Sequence, residues 1–136
     1  MNQKNEITNK LRSSGLRPTQ QRILIAKNLF DTNKTFHFTV ETLNKKINKS
    51  GDEKISLATI YNTVEAFNDA GYLKEILTSK NKRYYDTNIK SHHHFYDEGS
   101  RELTDINYNQ VKLSKVPTPP KGKKIKNLEV VIRVQK

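Results

Sequence analysis

The chain has 136 residues, 33% of them apolar and 29% charged, and its 25 Lys and Arg against 14 Asp and Glu give a net charge of +11. That length holds one ordinary domain or two small ones with thin cores, and no stretch approaches the roughly 20 apolar residues of a membrane span. The absence of cysteine excludes disulfides, thiolate zinc sites and cysteine nucleophiles, while the charge favours a polyanionic partner, nucleic acid before membrane.

In chain order, residues 5–14 pattern as a short amphipathic helix, with Ile7 and Leu11 four apart and Gly15 as its stop. The polar start carries no signal-peptide pattern, so the expected compartment is the cytoplasm. Pro18 disfavours helix at Arg17, and Thr19 can cap a second helix whose apolar face is Ile23, Leu24, Ala26, Leu29 and Phe30. Arg17, Gln20 and Arg22 crowd the start of that helix, where backbone N–H groups also favour anions. A helix over 39–48 follows, capped by Thr39, with Val40, Leu43 and Ile47 on one face and Ser50-Gly51-Asp52 as its end. The next spans about 56–70, with Gly71 past its end. Its buried stripe is Leu57, Ile60, Val64 and Phe67, and its other face carries Thr59, Tyr61, Asn62, Thr63 and Glu65.

Two strand-like runs, 72–78 and 82–86, joined by residues 79–81, form a hairpin with a basic tip of Lys80, Lys82 and Arg83. Helices followed by a basic hairpin give the order of a winged helix-turn-helix, whose last helix enters the major groove while the hairpin touches phosphate or the minor groove. The candidate contacts to double-stranded DNA are Arg17, Thr19, Gln20 and Arg22, then Ser56, Thr59, Tyr61 and Asn62, then Lys82 and Arg83. The competing readings are a small α+β domain with a solvated charged turn and a general basic nucleic-acid-binding protein.

The run Ser91-His92-His93-His94-Phe95-Tyr96 holds three of the four histidines and marks a change from helical to strand-like patterning. In a strand, His92 and His94 share one face while His93 points to the other. Residues 97–100 read as a turn, 101–106 as a second strand, 111–114 as a helical turn, and the Pro-rich stretch 116–122 as irregular. Residues 123–136 alternate as a strand, with Ile125, Leu128, Val130, Ile132 and Val134 on its apolar face. Three strands and little helix in so short a stretch call for a homodimer that shares the burial. The lysines at 121, 123, 124 and 126 read as a solvated loop.

Four stretches, GLRPTQQR at 15–22, HFTVETL at 37–43, SLATIYNTV at 56–64 and DAG at 69–71, together resemble the ferric uptake regulator family. Residues 91–136, with the histidine run, resemble its iron response regulator branch. The resemblance implies an α+β fold: a winged helix-turn-helix domain over 1–88 and a small α/β dimerisation and effector-sensing domain over 89–136. It implies a regulatory metal site at His37, Asp86, His92 and His94, which would tie the two domains through one divalent ion, iron, manganese or zinc. The branch implies haem as an effector instead or as well, with His92, His93 or His94 as axial ligands. Arg17 takes the place of a minor-groove contact, and Asn62 stands where other members carry Arg. Asn prefers adenine, so an AT-rich operator is expected. The cysteine pairs that hold the family's structural zinc correspond to Asp97 and Ser100, so no Cys-ligated structural zinc is expected, and the shortened terminal segment leaves His93 without its usual partners. The whole implies a dimeric transcriptional regulator of iron homeostasis. A polar strand, or a metal-dependent enzyme with a His/Asp site, remains the alternative for the histidines, although the chain has no Gly-rich phosphate loop and no nucleophile motif.

Overall fold

Hydroxyl caps set where the helices begin. In the computed structural model, which describes residues 3–49, 54–78 and 82–136, the helices are α1 Gln3–Ser13, α2 Gln20–Phe30, α3 Val40–Asn48 and α4 Leu57–Asp69. Thr19 Oγ1 accepts from the Arg22 N–H at 3.2 Å, and Ser56 Oγ accepts from the Thr59 N–H at 3.1 Å. Thr39 and Thr42 satisfy each other's backbone N–H groups reciprocally, at 3.1 and 3.0 Å. Each such cap contributes about 1 kcal/mol. Gly15 and Gly71, with φ of 80° and 87°, provide the left-handed turns that end α1 and α4. The Asn48 side chain bonds both backbone groups of Ile55, at 2.8 and 3.0 Å, and so fixes the approach to α4.

The described residues divide into two compact units, Met1–Ile89 and Lys90–Lys136. The first has an apolar core built from Ile7, Leu11, Ile25, Leu29, Leu43, Ile60, Val64 and Phe67. Its sheet has the order β1-β3-β2, with β1 His37–Phe38, β2 Lys74–Leu77 and β3 Arg83–Asp86 all antiparallel. Strand β1 is only two residues long and is absent from the sequence expectation. It matters because it sets His37 directly opposite Asp86.

Two helical faces differ from expectation. Leu57 is 48% exposed and Leu24 is 43% exposed, while Ile25 and Thr63 are fully buried. Leu57 sits in the first turn of α4, before that helix meets its neighbours. Thr63 tolerates burial because its hydroxyl donates to the Thr59 carbonyl at 2.7 Å. The expected helix stop at Ser50-Gly51-Asp52 and the hairpin tip with Lys80 lie outside the described residues.

The second unit is a three-stranded sheet of order β5-β4-β6, from β4 His93–Asp97, β5 Leu103–Ile106 and β6 Val131–Val134. Asp97 Oδ1 accepts from the N–H groups of Gly99 and Ser100, at 2.8 and 3.2 Å, and so builds the turn that sets the β4/β5 register. Strand β6 runs parallel to β4, and the connection between β5 and β6 is mostly irregular, turning at Gly122 with φ of 80°. The helical turn expected at 111–114 falls instead at Tyr108–Gln110, because Asn107 accepts from the Asn109 N–H at 3.1 Å and starts it early. The strand expected over 123–136 is confined to four residues. Tyr96 and Ile106 are the fully buried apolar side chains described in this unit. Phe95, Ile132 and Val134 share one sheet face and are 40%, 38% and 36% exposed. Among the described residues, no helix is long and apolar enough to cross a membrane.

Candidate functional site

In the first unit, α4 divides its residues between core and surface. Ile60, Thr63, Val64 and Phe67 face inward, while Tyr61, 43% exposed, and Asn62 face outward. Tyr61, Asn62, Lys82 and Arg83 line one open cleft of about 840 Å³, together with Lys45 of α3 and Leu57. A second concavity of about 590 Å³ gathers Arg17, Thr19, Gln20 and Arg22 around Thr59. Nine of the ten sequence candidates thus fall into two groups, and the tenth, Ser56, caps α4. Ser56 and Thr59 are held to one another by a 2.9 Å hydroxyl contact, and Arg22 Nη1 donates to the Arg17 carbonyl at 3.2 Å. Lys82 is exposed at the start of β3.

Beside the first cleft, Tyr85 donates a short hydrogen bond to Glu65 Oε1. Burial, and then the Glu65 carboxylate, push the Tyr85 phenol well above its ordinary range. Because the folded state holds this proton more tightly than the unfolded chain, the associated stability is intact below about pH 10 and is lost as pH rises beyond it. The melting temperature is therefore expected to fall above about pH 10, and Tyr85→Phe should flatten that decline in a pH series followed by circular dichroism.

The candidate metal ligands form a group in each unit. In the first, His37 Nε2 lies 3.1 Å from Asp86 Oδ2, across the β1/β3 pair that sets them opposite. Asp86 is buried, and its Oδ1 accepts from the Asn88 N–H at 2.8 Å.

In the second unit, His92 and His94 project from the same face, with ring centroids 4.4 Å apart. Both Nε2 atoms lie 3.3 Å from Asp105 Oδ1. On the other side of each ring, His92 Nδ1 meets the Lys90 carbonyl at 2.6 Å and His94 Nδ1 meets Glu129 Oε1 at 2.9 Å. A carbonyl and a carboxylate can only accept, so both Nδ1 atoms carry hydrogen. Each ring then turns Nε2 towards the carboxylate of Asp105. Two imidazoles and a carboxylate grouped in this way form a donor set that suits a first-row divalent ion. Glu129 stands where an outer carboxylate orients an imidazole that binds a metal and raises its basicity.

His93 has a different role. It is buried on the opposite face, where its Nδ1 accepts from the Val130 N–H at 2.9 Å and its ring stacks on Tyr108 at 5.2 Å. It joins β4 to the chain entering β6.

Sequence reasoning missed Asp105 and Glu129. Asp105 pairs with His94 across the β4/β5 register, so counting back through the Asp97–Ser100 turn would have found it. Glu129 depends on a parallel pairing with a distant segment, for which the sequence carries no local signal.

The sequence profile of the Ferric uptake regulator family matches residues 13–133. Among curated proteins, the chain is 31% identical over 101 residues to the peroxide-responsive repressor PerR of Staphylococcus epidermidis. That match covers 74% of this chain but only 65% of the repressor's length. Among solved structures, the fold is similar to the ferric uptake regulator of Pseudomonas aeruginosa with manganese, at a TM-score of 0.70 and 19% identity over 96% of this chain and 97% of that one. The ferric uptake regulator of Vibrio cholerae is similar at a TM-score of 0.68 and 20% identity over 95% and 98%. Those likenesses establish the fold, a winged helix-turn-helix followed by a small α/β unit. The profile match runs through both units, and the chain belongs to the Ferric uptake regulator family.

Proposed function

We propose that this chain is a homodimeric, metal-responsive repressor that binds double-stranded DNA and controls iron homeostasis. The family consists of transcriptional regulators, not enzymes, which removes the enzyme reading. The observation that carries the metal assignment is the convergence of His92 Nε2 and His94 Nε2 on Asp105 Oδ1. His92, His94 and Asp105 would hold a divalent ion in the second unit. His37 and Asp86 of the DNA-reading unit stand at the further ligand positions that the family resemblance implies, and ligation there would couple ion binding to DNA affinity. Iron, manganese and zinc all suit nitrogen and oxygen donors, zinc binding tightest by intrinsic order.

Haem comes second. His93 uses Nδ1 for the Val130 N–H, and His92 and His94 already direct Nε2 at a carboxylate, an arrangement that favours a bare ion over a macrocycle. The dimer reading rests on the exposed Phe95, Ile132 and Val134 of one sheet face. The peroxide-responsive relatives support a further reading, in which peroxide acting on the iron-loaded form is the stimulus.

Footprinting and fluorescence anisotropy with duplex DNA, with and without Mn²⁺, Zn²⁺, Fe²⁺ or haemin, test the proposal. The expected result is protection of an AT-rich, two-fold symmetric site that depends on the metal. Binding that ignores both sequence and metal overturns it, and loss of binding when peroxide meets the Fe²⁺ form but not the Zn²⁺ form selects the peroxide stimulus. Asn62→Ala should cost about 1–3 kcal/mol of discrimination at one base pair while leaving metal affinity unchanged, as read from a panel of single-base operator variants.

A further inference from the structure

Arg83 lies beside Lys82 at the start of the wing, yet its surroundings differ from those of a free phosphate contact. Its Nη1 donates to the Tyr61 hydroxyl at 3.3 Å and lies 3.5 Å from Glu65 Oε1. Its Nε lies 3.3 Å from Glu75 Oε1, a buried oxygen with no well-aligned hydrogen bond of its own. One guanidinium thus serves the carboxylates of Glu65 and Glu75 and the phenols of Tyr61 and Tyr85.

Secondary-structure spacing makes the arrangement. Tyr61 and Glu65 are four apart on α4, a rise of about 6 Å, and Arg83 and Tyr85 are two apart on β3, a rise of about 7 Å. The near-equal spacings let the two pairs meet rung by rung, Arg83 with Tyr61 and Tyr85 with Glu65. Glu75 is directly opposite Tyr85 on β2 and closes the group from the far strand. A planar fork of five N–H donors can bridge such partners, whereas an ammonium on a flexible stem acts as a point charge.

We infer that Arg83 is a strut that fixes the Tyr61 ring on the DNA-reading helix, a positioning residue for specificity rather than a phosphate contact. The inference rests on the DNA-binding reading above for its functional half. Two nearby carboxylates already compensate the Arg83 charge, so it has little left for counterion release. Lys82, with no such neighbours described, carries the electrostatic share. Tyr61 is 43% exposed, and without the strut its ring samples other rotamers at the surface where bases are read.

The test compares full-length Arg83→Lys, Arg83→Gln, Tyr61→Phe and Lys82→Gln. Binding is measured from low to moderate salt on the footprinted operator and on a scrambled duplex. Arg83→Lys should reduce the operator-to-scrambled affinity ratio roughly tenfold, the scale of one lost base contact, and leave the salt slope unchanged. Lys82→Gln should leave that ratio intact and lower the slope by about 0.9, one phosphate's worth. Tyr61→Phe should match Arg83→Lys, and combining the two should add nothing. Arg83→Lys keeps a cation beside Glu75, so it remains informative if Arg83→Gln is poorly folded. A slope that falls by about 0.9 in Arg83→Gln with an unchanged ratio overturns the strut. A DNA-free arm separates the two halves of the argument: ring resonances of ¹³C-tyrosine-labelled protein should show one Tyr61 rotamer in the parent and averaging in Arg83→Lys. Averaging without any sequence preference in the parent would fault the DNA reading and uphold the strut, and an unmoved Tyr61 ring would overturn the strut whatever the DNA result.

Discussion

Replacing His94 with alanine is expected to abolish tight binding of a divalent cation, raising the Kd by at least about a hundredfold. The magnitude follows from the geometry. Outer-shell changes alone typically cost 10–100-fold in metal affinity, and His94 is a donor in its own right, with Nε2 3.3 Å from Asp105 Oδ1 and Nδ1 anchored to Glu129 at 2.9 Å. Glu129→Gln keeps the shape and removes the charge, so it should fall within that 10–100-fold band. His93→Ala is the control that separates chemistry from composition, since all three residues are adjacent histidines. Its loss orphans the Val130 N–H and one face of Tyr108, so it should destabilise the fold by about 1–3 kcal/mol and leave metal affinity within about threefold. Chelator-competition titrations of the three variants, with thermal melts alongside, decide the matter. If His93→Ala loses the ion and His94→Ala keeps it, the assignment of faces is wrong.

The same contrast shows what the chain reveals before it is folded. Alternation in a strand is a local rule, so the separation of His92 and His94 from His93 was legible from sequence alone. Caps are local too, and Thr19 and Thr39 announced two helices through chemistry within one turn of each. The metal group was only half legible. His92 and His94 are neighbours along one strand, but Asp105 reaches them through a strand register and Glu129 through a parallel pairing across more than thirty residues. Burial in α4 was misjudged at its first turn, because a periodic stripe tells which way a residue points and not whether anything is there to meet it. Leu57 points along the stripe and meets solvent. Thr63 was placed outside on polarity, although a hydroxyl that can bond its own helix is easily buried.

Phe67→Ala is expected to be the most destabilising single change in the first unit, costing about 3–5 kcal/mol. The ring is fully buried and stands edge-on to Phe30 at 5.1 Å and to Tyr72 at 6.3 Å. Lys10 Nζ lies over both of those neighbours, 5.2 and 5.1 Å from their centroids, so removing Phe67 opens a cavity under a cluster that holds α1, α2 and α4 together. Since Ile60, Val64 and Phe67 anchor the same helix that presents Tyr61 and Asn62, DNA affinity should fall with the melting temperature of this unit. Leu57→Ala is the sharp comparison. Periodicity alone ranks Leu57 with Phe67, whereas its 48% exposure limits the expected loss to about 0.5 kcal/mol. Urea titrations of both variants, followed at wavelengths sensitive to helix, measure the gap directly. Equal losses would mean that α4 sits differently against its neighbours and that the reading face built on it must be redrawn. A gap of several kcal/mol ties the recognition surface to the packing beneath it.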